Sequence, residues 1–233
     1  MTKAFSIAID GPVAAGKGTI AIDLTNRLDG FYIYTGAMYR CVALLCLQRG
    51  INLEDEAQVL TVLSDINMEF QGGKVLLNGN DITQRIKEPD AARGSSFVSR
   101  HKKVRADLVI KQQEIAKKAI ESGQIVIADG RDIGTVVLPD AAVKIFLTAN
   151  VDVRIERELG RYREQGIIKD RESIIEEIKQ RDERDFNRDI DPLPANPQAL
   201  GYWVLDNSSQ SEGETVGIIM QELKKKGLLN DQN

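Results

Sequence analysis

The sequence predicts an α/β fold, a mainly parallel sheet with helices on both faces. Two observations carry that reading. Short apolar runs alternate with stretches of helical spacing along almost the whole chain, the pattern of strands joined by crossover helices. The first apolar run also ends in a glycine-rich loop that opens directly into a helical stretch, IAIDGPVAAGKGTIAIDL at 7–24. No internal repeat or low-complexity tract interrupts the alternation.

Taken in order, residues 4–10 read as a strand ending at the glycine loop, and 19–28 as the helix after it. A second short strand at 31–34 leads to a helix at 37–49 that Gly50 closes, and 54–65 repeats the helical spacing with Asn52 as its cap. INMEF, QGG, KVLL and NGND then read as strand, turn, strand, turn, an antiparallel hairpin region at about 66–82 inserted into the alternating scheme. Pro89 marks a boundary before a long helix at about 104–122, closed by Gly123. Strands return at 124–128 and 143–147, followed by a heavily charged helical stretch from 151 to about 188, interrupted near Gly166. After Pro192, LPANPQ forms a rigid loop, 202–206 a last strand and 212–226 a last helix.

Composition narrows the function classes. The 233 residues suffice for one sizeable domain or a core with an insertion. At 42% hydrophobic and 28% charged, the chain is a soluble globular protein and not a disordered one. A net charge of −4 gives no general footprint for nucleic acid. No apolar run approaches the ~20 residues of a membrane span, and the apolar part of MTKAFSIAIDG is too short for a signal peptide. Cys41 and Cys46 match no metal or redox spacing and read as small core residues, which implies a reducing, cytoplasmic compartment. His101, the one histidine, sits in the basic stretch SRHKKVR and reads as surface, so no histidine-based triad is expected.

The loop follows G-x-x-x-x-G-K, with Gly18 where a Ser or Thr is usual and the hydroxyl one residue later at Thr19. Gly11, Pro12, Val13, Ala14, Ala15, Gly16, Lys17, Gly18 and Thr19 would cradle the phosphates of a nucleotide. Small residues expose consecutive backbone N–H groups, and the following helix adds its positive dipole end. Lys17 contributes a point charge, and Thr19 a hydroxyl near a metal or phosphate. In RDERDFNR, Arg181, Arg184 and Arg188 fall at i, i+3 and i+7, one stripe of like charge, whereas Arg181 and Asp185 have the spacing of a helix pair.

Several segments resemble bacterial cytidylate kinases, P-loop nucleoside monophosphate kinases in which G-K-G-T is a usual loop ending. YTGAMYR (34–40), GSSFVSRHKKVRADL (94–108), ADGRDIGTVVLPDA (128–141), IKQRDERDFNRDIDPL (178–193) and VLDNSS (204–209) carry the resemblance nearly end to end. It implies a five-stranded parallel core at about 1–35, 103–150 and 189–233, an acceptor-binding insertion at 36–102 with a small antiparallel sheet, and a helical lid at 151–188. The implied reaction transfers a phosphoryl group from ATP to CMP or dCMP with Mg²⁺, in a monomer with no nucleic-acid or membrane partner. Lys17, Arg131 and Arg188 would be catalytic, with Arg40, Arg131 and Arg188 clamping the acceptor phosphate. Thr35 lies in the acceptor segment; Ser96, Arg105 and Asp132 would read the cytosine, and Arg181 and Asp185 the ribose. Arg154 and Arg157 resemble donor-side lid arginines, while Arg161 reads as exposed. No protein group is expected to bind the metal directly; Thr19 and Asp129 would lie near it.

The chain departs from the family at Tyr34, usually aspartate, at Ala14, often glycine, at Lys87, and at Glu158, usually arginine. Glu158 would weaken ATP binding or pair with Arg154. Rival readings are a kinase for UMP, AMP or a non-nucleotide acid on the same scaffold, a GTP-driven switch, which the absence of N-K-x-D opposes, and a catalytically weak nucleotide-binding relative.

Overall fold

β1 (Ser6–Asp10) is buried at every position, as a strand covered on both faces must be. It is the middle strand of a five-stranded sheet in the order β2-β6-β1-β7-β8, where β2 is Phe31–Tyr34, β6 Val126–Gly130, β7 Val143–Thr148 and β8 Trp203–Asp206. β1 runs parallel to β6, with Ile9 beside Asp129, and to β7, with Ile9 beside Ile145; β7 and β8 are also parallel. The computed structural model describes residues 4–71 and 74–229.

Two compact units emerge, one formed by 1–33 and 113–233, the other by 34–112. In the first, Ile7, Ile9, Ile20, Leu24, Ile127, Ile145, Leu147, Val216 and Ile219 form a core between the sheet and α1 (Lys17–Leu28) and α8 (Glu212–Lys225). A second apolar cluster joins Val13 of the loop to Ile155, Leu159 and Tyr162 of α6 (Val151–Glu164) and to Ile174 and Ile178 of α7 (Arg171–Asn187). The charged stretch is thus two helices, separated at 165–170 where Gly166 takes φ 71°. Parallel strands place their carboxyl ends along one edge, where open α/β sheets bind ligands. Asp10, Asp129, Thr148 and Asp206 all stand there.

In the second unit, α2 (Thr35–Gln48), α4 (Pro89–Val98) and the antiparallel β3-β4-β5 sheet (Met68–Gln71, Lys74–Leu77, Asn80–Asp81) enclose Ala37, Cys41, Leu44, Val75, Leu77, Ile86 and Ala91. Burial pushes the Cys41 thiol up to about 12 and Cys46 to about 11, consistent with core residues and not nucleophiles.

Several sequence expectations are corrected. The helix expected at 54–65 is only α3 (Glu56–Leu60), followed by a 3₁₀ turn at Leu63–Asp65. Its cap is Asp55, whose carboxylate accepts from Gln58 N–H, while Asn52 closes a turn onto Glu54 N–H. Pro89 is a boundary, but it opens a helix that was not expected, α4, where a first-turn residue needs no N–H donor. The long helix α5 starts at Lys102 and runs to Glu121. Asn80–Asp81 pairs with Leu76 and Leu77 as a strand instead of turning. Gly72 and Gly73 of the expected QGG turn lie outside the described residues. Among the described residues, no helix is long and apolar enough to cross a membrane.

Candidate active site

The loop between β1 and α1 has the backbone that its small residues permit. Gly16, at φ 88°, caps α1 in a left-handed conformation. Gly11 has φ 151°, and a Cβ there would stand 2.0 Å from Leu147 O. Only glycine serves at such a position. Ala14, where relatives often carry glycine, is held at φ 58°, a strained angle for an L-residue. The strain fits a loop over-determined at its tip, because Val13 is anchored in the α6–α7 cluster.

Lys17 is buried, and its Nζ donates to Pro12 O at 2.7 Å. Burial, and then the Arg131 guanidinium, bring its ammonium down from 10.5 to about 7, against the opposing pull of Asp129, Asp185 and Asp10. A cationic anchor with no anion in contact is costly. Thr19 is exposed in the first turn of α1, one residue beyond Gly18.

At the end of β6, Arg131 Nε donates to Asp185 Oδ2 at 2.5 Å, and Nη1 to Gly130 O at 3.2 Å. Burial pushes the Asp185 carboxyl up, but the Arg131 charge and hydrogen bond, with Arg181 and Arg188 beyond, hold it below its ordinary value. Arg188 and Asp132 form a second buried pair, Nη2 to Oδ1 at 3.6 Å, and Arg188 Nε also donates to Asp191 O at 2.7 Å. The sequence spacing pairs Asp185 with Arg181, whose charge helps to hold its carboxyl low; the fold adds a direct bond from Arg131, 54 residues earlier. Asp129 accepts from Tyr32 Oη at 2.6 Å. Lys17, Asp129, Arg131, Asp132, Arg181, Asp185 and Arg188 are therefore brought together in one charged cluster.

α6 and α7 bind the loop through polar contacts as well. Arg157 Nη1 donates to Ala15 O at 3.3 Å and to Asn207 Oδ1 at 3.1 Å, and Asn207 Nδ2 donates to Ala15 O at 3.1 Å. Arg154 Nη1 bridges Val13 O at 3.2 Å and Asp182 Oδ2 at 2.6 Å, and Asp182 Oδ1 accepts from Val13 N–H at 3.2 Å. Glu158 is not paired with Arg154; it is buried and accepts from Arg161 Nε at 3.1 Å. Arg161 is accordingly half-buried over the Tyr162 ring, not exposed.

In the second unit, Thr35 opens α2 and is buried. Arg40 lies 5.6 Å from the Tyr34 ring centre and donates to Ile86 O at 3.1 Å. Tyrosine thus replaces the usual carboxylate with a cation–π partner. Arg105 is buried, donates to Ser99 O at 3.2 Å and lies 5.7 Å from the Tyr39 ring centre. Ser96 is buried two residues before the end of α4. His101 is half-buried, its Nε2 donating to Leu53 O at 2.8 Å, so it fastens a loop instead of facing solvent.

Asp10, Asp182, Asn207, Tyr32 and Tyr202 were missed as functional candidates. Asp10 carried a signal, as a carboxylate closing an otherwise apolar strand. No group of three or more His, Cys, Asp or Glu able to hold a metal occurs among the described residues.

A family model for cytidylate kinase matches residues 7–225. A cytidylate kinase of Bacillus cereus (strain B4264) is 44% identical over 224 residues, covering 94% of this chain and 96% of that protein. One from Bacillus thuringiensis (strain Al Hakam) is 42% identical over the same shares. A crystal structure of an uncharacterised protein from Eubacterium ventriosum shares the fold at TM-score 0.54, with 14% identity over 94% of this chain and 98% of that one. A match across the whole charged cluster and both units, at this identity, makes the chain a member of the cytidylate kinase family.

Proposed function

We propose that the protein transfers the γ-phosphoryl group of ATP to CMP or dCMP, giving CDP or dCDP. The observation that carries the reading is the cluster of buried Lys17 with two half-buried arginines, Arg131 and Arg188, held by Asp185 and Asp132 at the sheet's carboxyl edge. Transfer between two nucleotides concentrates negative charge, so positioning and electrostatics do most of the work. Arginines bind phosphate through a planar fork, and a phosphate oxygen is already an adequate nucleophile. No general base is needed.

In this reading, 11–19 and Lys17 bind the ATP phosphates and Arg157 lies on the donor side. Arg40, Arg131 and Arg188 hold the acceptor phosphate, Arg181 and Asp185 the ribose, and Thr35 serves the acceptor. Asp132, Ser96 and Arg105 read the base. An ionised carboxylate accepts from the amino group of cytosine and repels the carbonyl oxygen of uracil. Mg²⁺, when bound, neutralises charge on the phosphates; Asp129, already accepting from Tyr32, would support its water shell. Residues 36–102 form the acceptor-binding insertion and 151–188 the lid, whose closure excludes water. The protein works in the cytoplasm as a monomer, without nucleic-acid or membrane partners; its net charge of −4 supports the absence of the former.

Asp132→Ala tests the assignment. The KM for CMP should rise by roughly 10- to 100-fold while the KM for ATP stays within about twofold. Equal effects on both substrates would remove Asp132 from base recognition.

A further inference from the structure

Asp10 stands at the end of β1, with none of its surface exposed. Its Oδ1 accepts from Ile133 N–H at 2.9 Å, and its Oδ2 from Gly134 N–H at 2.8 Å and from Tyr202 Oη at 2.7 Å. Those two N–H groups belong to the residues directly after Asp132. They open a π-helical turn, Ile133–Val137, in which the Asp132 carbonyl accepts from Val136 N–H at 2.8 Å. Such turns are rare and gather at functional sites. The backbone of Asp132 is therefore gripped on its own carbonyl by the turn and on the next two amides by Asp10.

The fit leaves no slack. A Cβ on Gly134 would stand 2.7 Å from Tyr202 Oη and 3.1 Å from Lys144 Cδ. Burial of Asp10 outweighs its three hydrogen bonds and pushes the carboxyl up from 3.8 to about 6. An anchor kept at a cost to the fold points to a role in the site.

We propose that Asp10, together with Tyr202, is a positioning residue for acceptor selectivity: it fixes the turn that aims the Asp132 carboxylate at the acceptor base. The inference rests on the base-reading role given to Asp132 above. Asp10 touches no substrate; it acts through residues 132–134. The ion pair of Asp132 with Arg188 restrains the carboxylate from its other end, so the grip of Asp10 sets where the backbone stands.

The test compares Asp10→Asn and Tyr202→Phe with the wild type, measuring kcat/KM for CMP and for UMP at saturating ATP. An amide can accept from one of the two N–H groups but turns its own NH₂ toward the other, so the turn loosens. We expect the CMP-to-UMP ratio to fall at least fivefold in Asp10→Asn and at least twofold in Tyr202→Phe, with the KM for ATP nearly unchanged. A structural lesion alone would lower both acceptors together and leave the ratio unmoved. An unchanged ratio in both variants overturns the proposal. If Asp10→Asn does not fold, Tyr202→Phe decides by itself. A wild type that does not favour CMP over UMP overturns the base-reading assignment first, and this inference with it.

Discussion

Filling the phosphate loop should draw a proton onto Lys17. In the ligand-free loop its ammonium is buried, faces the Arg131 guanidinium and titrates near 7 instead of 10.5. That difference of about 3.5 units amounts to roughly 5 kcal/mol against the charged form. A bound polyphosphate brings several negative charges against Nζ and restores the ammonium to its ordinary range. At pH 8 the free site is then about 10% charged and the bound site fully so, an uptake of about 0.9 proton per ATP. Uptake falls to about 0.5 at pH 7 and about 0.1 at pH 6. Titration calorimetry with ATP at pH 8, in buffers of differing ionisation enthalpy, reads this number directly. Lys17→Met provides the control, since it keeps length and burial but cannot take a proton. The same heat in every buffer, or equal uptake in wild type and variant, would refute the argument. The linkage also sets a sign for stability. Because the folded value lies below the unfolded one, the ligand-free protein gains stability from this group as pH rises from 7 toward 10.5.

Asp10 predicts the opposite slope in a lower window. Its folded value, about 6, lies above the unfolded 3.8, so its contribution is complete below 3.8 and is lost as pH rises through 6. Between pH 4.5 and 7 the wild type should lose about 2 kcal/mol relative to Asp10→Asn, measured as the difference in urea unfolding curves; parallel curves would contradict the buried-carboxylate reading. Gly11→Ala should cost several kcal/mol, since its Cβ would collide with Leu147 O; a melting temperature within 2 °C of wild type, by about that measure, would show that the loop can move aside. Arg131→Ala should lower kcat on the order of 100-fold or more with the fold intact, checked by steady-state turnover beside circular dichroism, and near-normal turnover would remove Arg131 from the chemistry.

The phosphate loop was legible because its chemistry demands a local pattern. Consecutive backbone amides can point at an anion only where side chains are small, and the G-x-x-x-x-G-K spacing records that demand. The parallel sheet was legible for a similar reason, since a strand such as β1, buried on both faces, shows consecutive apolar residues, Ile7, Ala8 and Ile9, and no alternation. Partnerships over long sequence distances were not. Asp10 meets its amide partners 123 and 124 residues later and Tyr202 192 residues later, so its one local signal, a carboxylate closing an apolar strand, points to none of them. Nothing in RDERDFNR sets Asp182 apart from its charged neighbours, yet it accepts from Val13 N–H across 169 residues. Glu158 shows the same limit: helix spacing offered Arg154 four residues before it, but Arg154 is taken by Asp182 and Glu158 turns to Arg161. Pro89 reads as a boundary, but the ten residues it opens, PDAARGSSFV, are rich in small and polar side chains and carry little helical periodicity, so α4 was not legible.

The central claim, phosphoryl transfer to a cytosine nucleotide, is tested most directly by ADP release from Mg-ATP with CMP, dCMP, UMP, AMP, GMP and shikimate supplied one at a time. The account predicts turnover confined largely to CMP and dCMP. Comparable or faster turnover with any other acceptor, or none with CMP despite ATP binding, would contradict it.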